Sequence, residues 1–495
     1  MNQDALTSPS QKALQKENAE LRLKVAVLEE RCRMLEDQTK LNSSNSSKPP
    51  SSDGYQKPNK KTGSEANLDS SQEKPCPKSL REVSGKKAGG QKGHKGVCLK
   101  QVEHPDFLEL HTVDVCQNCY SSLSDIKVIR TIERQVFEPG KLGQLEVTAH
   151  RAEIKVCHCG HRNQAEFPPG VITAVQYGST TKALAVYLNQ YHFVPFQRVS
   201  EYFQSVYGMS VSAGSVVNFV SEAHKNLSST EDVIRDALKK ALVAGADETG
   251  MRVDGALYWL HIMRNEDWTF YYLSEKRGCE AIDAMGLLLT FTGVLVHDHW
   301  KPYFTYAITH VLCNAHHLRE LQGAVDRDSN ILAFRLMSLL RLSWHYCKGF
   351  KQAGMLEVPE IIRRRIESIY DRILERALLK ETAFMEKQRQ ALGRKKVKNT
   401  KSYNLFKRLV DFKSETLRFM TDFSIPFDNN GSERDARMAK VKQKVSGCFR
   451  SEDGGSMFTR IRSYLSSAKK QGKDVFQSIL KAIRNYNNLP LLGAE

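Results

Sequence analysis

Three acids and four cysteines are the residues through which this 495-residue chain could do chemistry. Asp247 follows the small apolar run Leu242-Val243-Ala244-Gly245-Ala246, and Asp298 follows a second run, Gly293-Val294-Leu295-Val296-His297. Each run reads as a buried strand, because a short apolar stretch framed by turn residues fits a sheet interior. Carboxylates placed where strands leave an open sheet sit where such folds carry out chemistry. Taken alone, Asp298 also reads as the cap of the next turn. If the two acids lie on adjacent strands, their oxygens suit Mg2+ (or Mn2+), which leaves coordination positions open for phosphate. His297 and His299 flank Asp298 on the other side of the pleat and are expected to position it or contact DNA rather than bind metal. The third acid, Glu433, opens a helical pattern in which Arg437, Lys440 and Lys444 follow at i+4, i+7 and i+11. One helix face therefore carries an acid and then three cations, and an exposed i,i+4 salt-bridged face is the plainer alternative.

The cysteines form two close pairs, Cys116-Gln117-Asn118-Cys119 and Cys157-His158-Cys159. They flank two β-like runs, Lys127 to Phe137 and Leu145 to Val156, so a hairpin would gather four thiolates, and a soft tetrahedral set selects Zn2+. His158 or His161 is the alternative fourth ligand. Four protein ligands close the coordination sphere, which makes this zinc structural. Cys313 and His316 have C-x2-H spacing but no second pair nearby, and read as buried structural residues.

These residues need a framework. Leu14, Leu21, Leu28 and Leu35 fall seven apart, with Val25 and Cys32 on alternate positions and Asn18 on another. Residues 1–41 are therefore expected to form a dimerising coiled coil, or else one amphipathic helix packed on its own protein. Ser, Lys, Pro and Gly dominate 42–104, a flexible basic linker. The zinc-binding segment spans 105–170. Helical patterns at Lys182–Tyr191, Gln197–Val206 and Ser215–Ala223, the last capped by Ser212 after a turn at Gly208, give a helix-turn-helix over 171–230 or an ordinary three-helix unit. In 231–310, the strand before Asp247, strands at Ala256–Met263 and Thr269–Leu273 joined by the Asp254-Gly255 turn signal, a helix at Cys279–Leu289 and the strand before Asp298 follow the order of a ribonuclease-H-like sheet. Strand signals vanish over 311–423, which reads as a helical insertion; its basic stretch Lys387–Arg408 is either a solvated face or a DNA-facing one. Residues 424–495 return to the catalytic domain and add C-terminal helices. The expected fold class is multidomain α+β: coiled coil, zinc-ribbon-like finger, helix-turn-helix and an interrupted ribonuclease-H-like α/β domain.

A formal charge of +17 with a pI near 9.3 implies a polyanionic partner, nucleic acid rather than a membrane. The polar Met1–Ser10 start lacks a signal-peptide pattern, no stretch is long and apolar enough to span a bilayer, and eleven scattered cysteines suit a reducing compartment. A cytoplasmic, nucleoid-associated protein is expected.

The combination resembles the transposases of the insertion sequence 66 family, within the DDE superfamily. The matching pieces are the leucine heptad, Asn45–Asp53, Gly89–Gly96, the four-cysteine finger, Asp247-Glu248-Thr249, His297-Asp298 with Trp300 and Tyr303, Cys313 with Ala315-His316, and Asn429 through Glu433-Arg434 to Ser451. The resemblance implies a catalytic triad of Asp247, Asp298 and Glu433, an insertion between the second and third acids, and accessory proteins of the same element. On that reading the partner is double-stranded DNA, both transposon ends and target, contacted by Arg437, Lys440, Lys444 and Arg450, and the active protein is a homodimer or higher oligomer. The rivals are a non-catalytic DNA-binding regulator and a nuclease or resolvase of the same fold.

Overall fold

The computed structural model describes residues 99–141, 143–392 and 397–484; the leucine heptad, Asn45–Asp53 and Gly89–Gly96 lie outside them. These residues are mixed α and β and divide into two compact units. The first holds the described residues up to Ala241, then 247–291 and those from Arg434 onward; the second holds 242–246 and 292–433.

The first unit begins with a five-stranded sheet of β1 (Phe107–His111), β2 (Arg130–Pro139), β3 (Leu145–Val156), β4 (Arg162–Gln164) and β5 (Val175–Tyr177), ordered β1-β3-β2-β5 with β4 also on β3. The long β2–β3 hairpin is antiparallel, while β1 lies parallel to β3. Four helices follow: α1 (Ser179–Val186), α2 (Phe196–Tyr207), α3 (Ala213–Asn226) and α4 (Ser228–Lys239). The helix expected at Lys182–Tyr191 starts earlier and passes into a wider π turn over Tyr187–Tyr191. Gly208, at φ 63°, stops α2, and the Ser212 hydroxyl accepts the Ser215 N–H at 3.0 Å to start α3. Val199, Phe203, Val216 and Val220 from these helices share one core with Ile461 and Leu465 of a helix at Glu452–Lys470 and Ile479 of another at Val475–Arg484.

A second five-stranded sheet has the order β10-β9-β6-β7-β8. Strand β6 (Val243–Val253) runs through both units, and β7 (Ala256–Arg264) and β8 (Thr269–Ser274) continue in the first. Asp254 and Gly255, at φ 46° and 80°, make the tight turn between β6 and β7, the pair of positive φ values that a type I′ turn demands. Outer strand β8 has part of its edge covered: the N–H groups of Thr269 and Tyr271 donate to the hydroxyls of Ser467 and Ser463, one turn apart on the Glu452–Lys470 helix. Helix α5 (Cys279–Met285) ends four residues before the expected Leu289, because Gly286 adopts a left-handed φ of 71° and closes it.

In the second unit β9 (Val294–His297) lies parallel to the start of β6 and to β10 (Thr309–Leu312). Strand β10 corrects the expectation that strands cease at Val311: four residues are too few to carry a readable alternation, and its pairing with β9 supplies what the pattern could not. Helices α6 (Asn314–Asp328), α7 (Ile331–Gln352), α8 (Glu360–Ala391), α9 (Lys401–Asp411) and α10 (Lys413–Leu417) then build one core around Leu336, Leu340, Tyr370, Leu374 and Phe406, which reaches Val296 and Val311 of the sheet. Within the basic stretch, Lys407 pairs with Asp411 and Arg408 with Glu320. No helix among the described residues is long and apolar enough to cross a membrane.

Burial on β7 has a measurable consequence. It lowers the His261 imidazole from its usual range to about 4, so the folded state holds this ring neutral. An unfolded His titrates near 6.5; the contribution of about 3 kcal/mol is thus complete above that pH and is lost as pH falls from roughly 6.5 to 4. Unfolding titrations should show stability declining across this window, and His261→Gln should make that decline shallower, other buried histidines supplying the rest.

Candidate functional site

Asp298 directly follows the buried strand β9, and its Oδ1 accepts the Trp300 N–H at 2.8 Å. The turn-capping expectation is therefore met, and it employs one of the two carboxylate oxygens. His297 is fully buried, held between the Asp298 carbonyl and His310 Nδ1, which is 3.0 Å from its Nε2. Burial lowers its pKa to about 3. A ring so enclosed cannot reach DNA, which removes one of its two expected roles and leaves that of positioning Asp298.

His299 belongs to a chain whose proton positions follow from its far end. Asn314 Nδ2 donates to the Thr416 carbonyl at 2.9 Å, so Asn314 Oδ1 accepts from His317 Nδ1 at 3.0 Å. Neutral His317 then offers Nε2 as acceptor to His299 Nε2–H at 2.7 Å, which leaves His299 Nδ1 as a buried bare lone pair. Burial holds both rings far below the ordinary histidine range, His317 at about 3.

Glu433 lies in the first turn of α11 (Asn430–Ser446). The residue before that helix, Asn429, fixes where the turn begins. Its backbone carbonyl accepts the Glu433 N–H, its Nδ2 donates to the Ala246 carbonyl at 2.7 Å, its Oδ1 accepts the Ser432 hydroxyl at 2.7 Å, and its N–H meets Cys313 Sγ at 3.1 Å. Strand β6 admits this approach only because residue 245 is glycine: a Cβ there would collide with Asn429 Oδ1 and Ser432 Oγ. Gly245→Ala should therefore destabilise the fold by about 1–3 kcal/mol, the usual cost of overpacking, and displace Glu433 as well. Gly349→Ala, in the interior of the helix at Ile331–Gln352 where an added Cβ meets nothing within 4 Å, is the control expected not to lower thermal unfolding.

Around Glu433 the chain gathers residues that the sequence reading set apart. Arg319 places its guanidinium across the carboxylate, 2.8 Å to Oε1 and 3.4 Å to Oε2. His316 Nδ1 lies 3.7 Å from Oε1, and Cys313, His316 and Glu433 offer ligand atoms all within 4.8 Å of one another. Burial, reinforced by Arg319, lowers His316, and burial pushes the Cys313 thiol up to about 12. The expectation of purely structural Cys313 and His316 missed this gathering, because their third partner comes from α11, far along the chain. The C-x2-H spacing was the only local signal.

Asp247 lies in the first unit, half-buried in β6, where its Oδ1 accepts the Glu248 N–H at 3.0 Å. Glu248 is bound to Arg277 at 2.6 Å, and Asp435 to Lys470 at 3.1 Å, so both neighbouring acids belong to ion pairs. Of the expected DNA contacts, Arg437, Lys444 and Arg450 are exposed. Lys440 is not: half-buried, it donates to the Gly250 carbonyl, and burial lowers its pKa. Its apolar stem lies where the helix meets the sheet, which spends the cation on backbone rather than on solvent.

The four cysteines converge as expected. Cys116 and Cys159 sulfurs lie 3.6 Å apart, Cys119 and Cys157 3.5 Å, and all four within 4.8 Å. Tetrahedral zinc with bonds of about 2.3 Å sets its sulfurs roughly 3.8 Å apart, so the cluster has the right size. At Cys116 burial would raise the thiol, but backbone N–H groups of Cys119 and Asn118 outweigh it and bring the pKa down to about 5. At Cys157 the Cys159 backbone N–H lowers the thiol, but burial and the neighbouring sulfurs push it up to about 12. Sulfurs packed this closely ionise together only when a cation offsets their charge.

On this mixed α/β framework with a four-cysteine cluster, the sequence family adds the class: the chain is a transposase. The profile of the Transposase IS66 family matches residues 174–457, more than half of the chain, and the chain belongs to that family. Residues 5–72 match a family of unknown function (DUF6444). No curated protein matches.

Proposed function

We propose that the chain is a DDE-type transposase whose catalytic acids are Asp247, Asp298 and Glu433. The observation that carries this is strand pairing: β6 and β9 are parallel neighbours with Gly245 opposite Val296, and Asp247 and Asp298 each follow two residues later in the chain, Asp298 just past the end of β9. Asn429 adds support, since it binds the carbonyl of Ala246, the residue before Asp247, one turn ahead of Glu433. The order β10-β9-β6-β7-β8, with β7 and β8 antiparallel and β9 and β10 parallel to β6, supports the ribonuclease-H-like reading of this sheet.

The three acids form a hard oxygen donor set, which fits Mg2+ or Mn2+. When bound, such ions would lower the pKa of water, or of a freed 3′-hydroxyl, and neutralise charge on the phosphate under attack. Asp298, steadied by its bond to Trp300 N–H and by buried His297, would present a preset oxygen. Arg319 would keep the Glu433 carboxylate oriented. Exposed Arg437, Lys444 and Arg450 would hold the DNA backbone, and the α1–α3 helices with the four-cysteine module, closed by structural Zn2+, would bind the terminal repeats. Dimerisation through residues 1–41 would pair two ends.

Iron-directed cleavage tests the site itself. With Fe2+, ascorbate and peroxide in place of Mg2+, the chain should be cut near Asp247, Asp298 and Glu433, and excess Mg2+ should suppress the cuts. Cleavage confined to other segments overturns the assignment.

A further inference from the structure

Glu109, His111 and His150 lie on the first sheet, apart from both sites above. Glu109 and His111 are two apart on β1 and so share a face, and His150 stands opposite Glu109 in the parallel β1–β3 pairing. His150 Nδ1 is 3.0 Å from Glu109 Oε2 and 3.1 Å from His111 Nε2, and the three ligand atoms all lie within 4.8 Å of one another. One nitrogen carries at most one proton, and that proton can point squarely along only one of these contacts. A cation at their common focus satisfies all three lone pairs at once. Tetrahedral ligands about 2.0–2.1 Å from zinc lie roughly 3.3 Å apart, close to the spacing seen.

We propose that Glu109, His111 and His150 form a second divalent-metal site, taking Zn2+ through two imidazoles and one carboxylate with water in the remaining position. The donor set is borderline in softness, which suits zinc and disfavours Mg2+ or Ca2+. The site adds a side-chain anchor to the backbone ladder that holds β1: Phe107, Leu108 and Leu110 are exposed, so this strand buries little apolar surface of its own. Metal bonded across β1 and β3 fixes the strand just before the chain reaches Cys116.

Metal content of the full-length protein, after dialysis against metal-free buffer, should be two zinc ions per chain. His150→Ala and His111→Ala should each reduce it to one. Glu109→Gln, an exposed change that leaves circular dichroism unaltered, should weaken the second ion by at least the roughly 10- to 100-fold that loss of even an outer-shell partner costs. Cobalt substitution separates the two sites: the thiolate-to-cobalt charge-transfer band reports the cysteines alone, while both sites contribute ligand-field absorption. Loss in His150→Ala of part of the ligand-field absorption and one cobalt per chain, with the charge-transfer band unchanged, supports the proposal. Zinc content and cobalt spectra unchanged from wild type in all three variants overturn it. Absence of the charge-transfer band in the wild-type protein would sink the cysteine assignment alone.

Discussion

Asp298→Asn is expected to leave the protein folded and still able to bind DNA while removing metal-dependent cleavage of the element's ends. The substitution keeps the side chain's size and the oxygen that accepts the Trp300 N–H, so the turn after β9 survives. What goes is the negative charge. A metal ion at a phosphoryl centre contributes several kcal/mol of transition-state stabilisation, which is about a thousandfold or more in rate. Nicking of labelled end DNA in Mg2+ and in Mn2+ measures the effect, with end binding as the control for folding. Residual cleavage near the wild-type rate would exclude Asp298 from the reaction.

The second large effect concerns the four-cysteine module. Around it the buried apolar cluster is small, chiefly Val113, Leu123, Ala152 and Ala165 with Cys116 and Cys157 themselves. So little core offsets only part of the chain entropy of ordering the segment, and on the proposed zinc reading metal bonds supply the rest; structural zinc in isolated fingers is worth about 10–16 kcal/mol. Chelation or Cys157→Ser should therefore open residues around Cys116–Cys159 to protease and abolish end binding. The core of Leu336, Tyr370 and Phe406 in the second unit should stay protected. Protease resistance unchanged after zinc removal would show that the module stands without metal.

Much of this organisation is legible in the sequence where the signal is local. Leu145–Val156 is a strand with the bounds its alternation gives, Asp254-Gly255 turns as its φ requirements dictate, and Ser212 caps the helix it precedes. The thiolate cluster is legible because its spacing has few other physical uses. Features set by tertiary partners are not legible. β10 is a strand only because β9 lies beside it, Lys440 turns inward only because the Gly250 carbonyl is there, and Arg319 reads as one more helix cation until Glu433 arrives from α11. The Glu109, His111 and His150 cluster escaped notice for the same reason, since strand register, not spacing, brings its third member across.

Strand transfer tests the central claim most directly. Wild-type protein mixed with pre-cut, labelled ends and a supercoiled target in Mg2+ should join the 3′-hydroxyls to target strands, and Asp247→Asn, Asp298→Asn and Glu433→Gln should each abolish joining while end binding persists. End binding or nicking by the wild type without any joined product, under conditions where both ends are bound, would contradict it.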